Sequence, residues 1–211
     1  MTAPTDVPSD LFLARLTDAM LTLAGDSGWT RATLDAAAVA AGLSPGEAML
    51  AAPDGVSTVL RALAERAARA AGEAVADPAV AKLKVRDKVK AGVRAWIATL
   101  ALHRAAVKRA AGSPASILEG PGGLWEAADA IWSGLGDKST DYNWYTKRMT
   151  LVAVLGSTFT AWMADEDLAV LDAFLDRRIE NVMQIEALKA EARKAFASLP
   201  HPLDILGRAG R

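Results

Sequence analysis

The sequence predicts an all-α protein: an N-terminal helix-turn-helix-like module of three helices over residues 1–55, then a helical bundle over residues 56–211. Three observations lead there. Apolar residues recur at steps of three or four along most of the chain, the spacing of one helix face, and no stretch reads convincingly as a strand. Two short helical stretches meet at Gly42, and the second opens with a marked start, Ser44-Pro45-Gly46-Glu47. Finally, a run apolar on almost every side, residues 149–163, is followed by an amphipathic one, residues 168–185, the pattern of a buried helix and its neighbour.

Composition bounds the function. With 211 residues and 52% hydrophobic side chains the chain can bury a sizeable core. A formal net charge of −1 lacks the positive excess of a general nucleic-acid binder. The absence of cysteine excludes disulfides, thiol nucleophiles and thiolate metal sites. The opening MTAPTDVPSD has neither a basic start nor an apolar run, so no signal or transit peptide is expected. The expected location is cytoplasmic, peripheral at most on the inner face of the cytoplasmic membrane. Residues 149–163 are too short to span a bilayer.

In chain order, Leu11, Leu16, Met20 and Leu23 give the first helix, which Gly25, Asp26 and Gly28 end. Leu34, Ala37, Val39 and Ala41 give a short second one, stopped at Gly42. In the third, Ser44 is the N-cap, Pro45 occupies the first helical position, and Glu47 reaches back to the Ser44 amide. Residues 56–76 are Ala-rich and strongly helix-forming, and Asp77-Pro78 interrupts them. Next, Val85, Val89, Val93, Trp96, Ile97 and Leu100 form one face while Arg86, Lys90 and Arg94 form another at four-residue spacing. That basic stripe is either a solvated face or a surface for anionic headgroups, the second favoured by Arg104, Lys108 and Arg109. Residues 112–123 form a Gly- and Pro-rich loop. Trp125, Ala128, Trp132 and Leu135 then place two indoles on one helical face, as packed core or as a ligand wall. In the buried helix, Leu151, Leu155, Phe159 and Trp162 share a side, and Gly156 and Ala161 leave room elsewhere. The acids Asp165, Glu166 and Asp167 suit the start of the following helix.

Two resemblances attach to these residues. Residues 34–63, LDAAAVAAGLSPGEAMLAAPDGVSTVLRAL, resemble the N-terminal module of TetR-family repressors. The frame is similar but the contacts are not: residues 43–52 hold no basic or amide side chain for bases or phosphates, and Gly55 stands where TetR repressors carry a lysine. DNA binding is therefore not expected. The run Asp141, Tyr142, Asn143, Trp144, Tyr145, Thr146, Lys147, Arg148, followed by Phe174 to Met183 (FLDRRIENVM), resembles the COQ9 family of ubiquinone-biosynthesis proteins, over a core of residues 124–188.

The COQ9 resemblance implies a TetR-like fold whose C-terminal bundle binds lipid and dimerises. It implies a lipid-binding accessory protein of ubiquinone biosynthesis, not an enzyme, that needs no cofactor. Such a protein binds an isoprenoid or quinone precursor and presents it to a di-iron demethoxyubiquinone hydroxylase. The lipid wall is expected from Trp96, Leu100, Trp132, Leu151, Leu155, Phe159 and Trp162. The partner surface is carried to Asp141, Trp144 and Tyr145, although aromatics at a helix start also serve as caps on the core. A homodimer through the last two long helices is implied, though the stripe from Leu168 to Ile185 equally suits the protein's own core. Leu203, Ile205, Leu206, Arg208 and Arg211 offer a transient membrane-surface contact or a frayed tail. The alternative function is a TetR-type ligand-responsive transcriptional repressor. His103 and His201 form no metal or triad pattern and are expected at the surface, and no catalytic or metal-binding residues are expected.

Overall fold

The computed structural model describes residues 8–112, 121–140, 142–165 and 167–197. Among them are nine α-helices and no strand: α1 (Pro8–Ser27), α2 (Arg31–Ala40), α3 (Pro45–Ala51), α4 (Val56–Ala76), α5 (Val85–Ala101), α6 (Arg104–Ala111), α7 (Pro121–Gly134), α8 (Tyr142–Ala164) and α9 (Leu168–Ala197). The fold is all-α, consistent with a TetR-like one.

The small module is set by its caps. Thr30 accepts the Thr33 amide to start α2. Gly42 ends α2 in the left-handed region at φ 67°, a conformation that costs glycine little. The full capping box of Ser44 and Glu47 starts α3, with Pro45 inside it as the sequence reads. Gly55, φ 63°, turns the chain into α4, so backbone geometry suits glycine at this position. α1 packs on α2, α3 and α6. Trp29 adds a donor to α6, its Nε1 reaching the Ala106 carbonyl at 2.8 Å.

The larger part is built on α4, which lies against α5 and α7; α7 passes the packing to α8, and α8 to α9. Glycine lets α4 and α7 touch backbone to backbone. A Cβ on Gly134 would sit 2.5 Å from the Val75 side chain and 2.6 Å from the Gly72 carbonyl oxygen, and one on Gly92 of α5 would strike Ile131 and Val75 at 2.9 Å. Such a crossing tolerates no added methyl without movement. Buried apolar residues form one continuous cluster from Leu16 to Leu175.

α8 departs from the expectation of a helix buried all round. Leu151, Val154, Leu155, Thr158, Phe159 and Trp162 are buried, but Met149, Ala153 and Thr160 form an exposed strip. Apolar residues on a surface strip are ordinary, since hydrophobicity alone does not fix burial. The room expected beside Gly156 is in ordinary contact with Leu124, 3.5 Å from a notional Cβ.

The basic stripe of α5 is neither a bare solvated face nor a free headgroup site. Arg86, Lys90 and Arg94 pair with Glu180, Asp176 and Asp172 of α9. Residue numbers rise by four on α5 as they fall by four on α9, the register of two antiparallel helices facing along one seam. Arg104 and Arg109 are also engaged, donating to the carbonyls of Trp162 at 2.6 Å and Gly25 at 2.7 Å. His103 is half-buried instead of superficial, and burial, then the nearby Arg66, lower its pKa. The Asp165 and Asp167 carboxylates accept the amides of Asp167 and Ala169, capping the start of α9. The tail carrying His201 and Leu203 to Arg211, and most of the expected 112–123 loop, lie outside the described residues; α7 starts within that stretch, at Pro121.

Candidate functional site

Where α5, α7, α8 and α9 meet, they leave a cavity of about 310 Å³. Val85, Val89, Trp132, Leu151, Val154, Ile179 and Val182 supply its apolar wall. Its polar lining is Arg86, Asn143, Thr146, Lys147 and Thr150. All five carry donor groups and none is a carboxylate, with the Thr146 hydroxyl directed to the Tyr142 and Asn143 carbonyls at 3.2 Å. The lining therefore suits a guest that is largely hydrocarbon and carries oxygen acceptors. Its volume lies at the small end of ordinary ligand sites, roughly 300–1,000 Å³. A larger hollow of about 710 Å³ alongside it, bounded by Arg86, Lys90, Asp176, Arg178 and Glu180, is walled mainly by charge and is the outer side of the α5–α9 seam.

Helical spacing puts Asn143, Thr146, Lys147 and Thr150 on one side of α8, and Trp144 and Arg148 on another. Arg148 is buried, its Nε donating to Asp129 Oδ1 at 2.6 Å and its Nη1 to Asp137 Oδ2 at 3.3 Å. Asp137 also takes Lys147 Nζ at 2.7 Å and the Ser139 hydroxyl at 2.7 Å. Lys147, Ser139 and Arg148 together hold its carboxyl well below the usual carboxylate range. The Arg148 guanidinium lies 4.1 Å from the centre of the Trp144 ring. Beyond it, Trp144 meets Trp125 at 5.6 Å and stands edge-on to Tyr145 at 4.7 Å, between centroids. Tyr145 is exposed, as are Tyr142 and Met149. The result is an aromatic patch with a buried cation behind it.

The expected lipid-wall residues divide between two places. Trp132 and Leu151 line the cavity. Trp96, Leu100, Leu155, Phe159 and Trp162 are buried in the packed core, with Trp96 and Phe159 at 6.0 Å, Phe159 and Trp162 at 5.7 Å, and Arg104 stacked 4.8 Å from Trp162. Periodicity marks a side chain as buried but does not say whether protein or ligand covers it. Of the expected partner surface, Trp144 and Tyr145 lie in the patch and Asp141 is outside the described residues. Sequence reading missed Asn143, Thr146 and Thr150 as lining residues; their i, i+3, i+7 spacing on a largely apolar helix was the available signal. It also missed Asp137, whose role depends on a turn that brings it under α8.

The family model for COQ9 matches residues 119–186. The matched stretch is 68 of the 211 residues, and it is similar to a COQ9 domain. The chain is also similar to "Ubiquinone biosynthesis protein COQ9, mitochondrial" of Rattus norvegicus, 27% identical over 183 residues, which covers 81% of this chain and 58% of that protein. The Homo sapiens protein of the same name is 36% identical over 64 residues, 29% of this chain and 20% of its own length. The chain thus spans less than two thirds of the curated relatives it matches. The matched stretch contains the aromatic patch, the Asp137 cluster and the α7, α8 and α9 walls of the cavity; α5 contributes Val85, Arg86 and Val89 from outside it. Among the described residues no helix is long and apolar enough to cross a membrane.

Proposed function

We propose that this protein is a lipid-binding accessory of ubiquinone biosynthesis, without catalytic activity of its own. It binds an isoprenoid or quinone precursor and presents it to a di-iron demethoxyubiquinone hydroxylase. The observation that carries this reading is the juxtaposition on α8: the donor-lined apolar cavity and the exposed aromatic patch share the same two helical turns, inside the stretch that matches COQ9. Quinone carbonyl and methoxy oxygens are acceptors that suit Arg86, Asn143, Thr146, Lys147 and Thr150, and tail carbons gain about 25 cal/mol for each Å² taken out of water. Aromatic side chains backed by an arginine are the chemistry of interface anchors. The names of the relatives supply the pathway. A cytoplasmic protein that touches the membrane surface transiently, and a homodimer, belong to the same proposal.

The face of α3 that would enter a DNA groove presents Met49 and Leu50, with no cation among residues 43–52, so the repressor alternative gains no support. Native mass spectrometry of the purified protein is expected to show a co-purified isoprenoid or quinone lipid. Protein that is repeatedly empty and ignores added decylubiquinone would overturn the proposal. Trp144→Lys is expected to abolish pull-down of the hydroxylase with helical content unchanged; survival of the pull-down would remove the docking role.

A further inference from the structure

Lys147 and Arg148 are neighbours in the chain with different surroundings. The first lines the cavity and the second supports the aromatic patch. One carboxylate holds both: Asp137, only 6% exposed, accepts from Lys147 at Oδ1 and from Arg148 at Oδ2. An ammonium has three protons, and Lys147 directs them to Asp137 and to Ser139 Oγ at 2.8 Å, leaving one. The same ammonium sits 5.2 Å from the ring centre of Trp132, which lines the cavity and whose Nε1 donates to the Lys147 carbonyl at 3.2 Å. Arg148 cannot move without consequence. Its guanidinium spans from Asp129 to Asp137 and covers Trp144, which in turn contacts Trp125 and Tyr145.

We propose that Lys147 senses the hydrogen-bond acceptor of a lipid head in this cavity, and that Asp137 passes the change through Arg148 to the Trp144 patch. The inference rests on the lipid-cavity reading above. The Lys147 ammonium is shared between Asp137 and Ser139. A carbonyl or methoxy oxygen entering the donor-lined cavity draws the ammonium toward itself. Asp137 then relies more on Arg148, and the guanidinium shifts toward it across the face of Trp144. A guest with no acceptor fills the apolar part of the cavity and leaves Lys147 where it is. Lys147 and Arg148 are thus positioning residues: occupancy is reported at the surface by the orientation of Trp144. Coupling of this kind is reciprocal, so a partner that fixes Trp144 also alters the affinity for the guest.

The test is ¹⁹F NMR of the full chain labelled with 5-fluorotryptophan, each of the six resonances assigned by a Trp→Phe variant. Two probes of similar tail length are added, decylubiquinone and undecylbenzene, which lacks acceptors. The Trp132 resonance reports entry into the cavity and the Trp144 resonance reports the patch. Decylubiquinone is expected to displace both and undecylbenzene only that of Trp132; in Lys147→Met, decylubiquinone is expected to move Trp132 alone. Movement of Trp132 by decylubiquinone with Trp144 still, or movement of Trp144 by both probes alike, overturns the relay while leaving the cavity reading intact. No movement of either resonance with either probe overturns the cavity reading and the relay with it. The two-probe comparison in the unmodified protein decides the matter even where Lys147→Met fails to fold.

Discussion

Arg94 on α5 and Asp172 on α9 form a two-point ion pair, and the relationship repeats one turn along in Lys90 with Asp176 and again in Arg86 with Glu180. Arg94 and Asp172 are about half and a third exposed, so each pair is screened by solvent and contributes roughly 0.2–1 kcal/mol. The register matters more than the strength. Arg94→Asp places three acids against one another and is expected to lower the urea midpoint. The double variant Arg94→Asp with Asp172→Arg is expected to recover most of the loss, and both effects should shrink in ~1 M salt, where the screening length is about 3 Å. Recovery that fails would mean that the seam is held by its apolar contacts alone.

Arg148 calls for a different expectation, because it is 2% exposed and holds two carboxylates. Removing it by Arg148→Met leaves Asp137 buried without that partner and takes the cation off Trp144, a change expected to cost about 3 kcal/mol in chemical denaturation. Arg148→Lys should recover little, since an ammonium is a point charge and cannot reproduce the planar fork between Asp129 and Asp137. Near-complete recovery by lysine would show that charge alone matters there.

Acid should act on the same cluster. Asp137 is held below its unfolded pKa mainly by Lys147, and Asp172 below its own mainly by Arg94. The folded state therefore binds fewer protons than the unfolded one. The stabilisation is full above the ordinary aspartate pKa of about 3.9 and is lost as pH falls through the folded values. The share of stability these two carboxylates supply is expected to hold down to about pH 5 and to be lost below about pH 4. It follows an earlier loss as pH falls through the unfolded histidine value of about 6.5, because burial lowers the His103 pKa. Asp137→Asn should be less stable at pH 7 yet show a shallower loss below about pH 4. An equally steep loss in that variant would assign it to other carboxylates.

What the sequence made legible and what it hid follow from the range of the interactions. The start of α3 was readable because Ser44, Pro45 and Glu47 act within one turn. The α5 stripe was visible as a stripe, but its meaning depended on Asp172, Asp176 and Glu180, about eighty to ninety-five residues away, whose own four-residue spacing was the complementary signal. In the same way Trp132 and Trp162 look alike in the sequence. One lines a cavity and the other is packed under Arg104, a difference made by which helices arrive beside them.

Gly134 tests the α4–α7 crossing. Its Cβ position is already occupied by Val75 and the Gly72 carbonyl, so Gly134→Ala must push the helices apart and is expected to cost about 1–3 kcal/mol despite alanine's better helix propensity. Gly122 is the control. It lies in α7 with nothing among the described residues within 4 Å of a notional Cβ, and Gly122→Ala should be neutral or stabilising by up to about 1 kcal/mol. Equal outcomes in urea unfolding would mean that α7 moves aside freely.

Glu126 offers the opposite sign. It lies on α7, its Oε2 is buried and accepts no hydrogen bond among the described residues, and burial first, then the nearby Glu65, raise its pKa. A carboxylate with a raised folded pKa destabilises the fold once pH exceeds its unfolded value, because the unfolded chain ionises more readily. Glu126→Gln removes that charge and keeps the shape, so it is expected to raise stability at pH 7 by up to about 1 kcal/mol. The advantage should fade as pH falls from the raised folded value toward the unfolded one and be gone below about 4, where the native side chain is neutral in both states. A variant that is less stable at pH 7 would show that the ionised Glu126 is satisfied in solution, with Arg61, a cation that lowers its pKa, as its counter-charge.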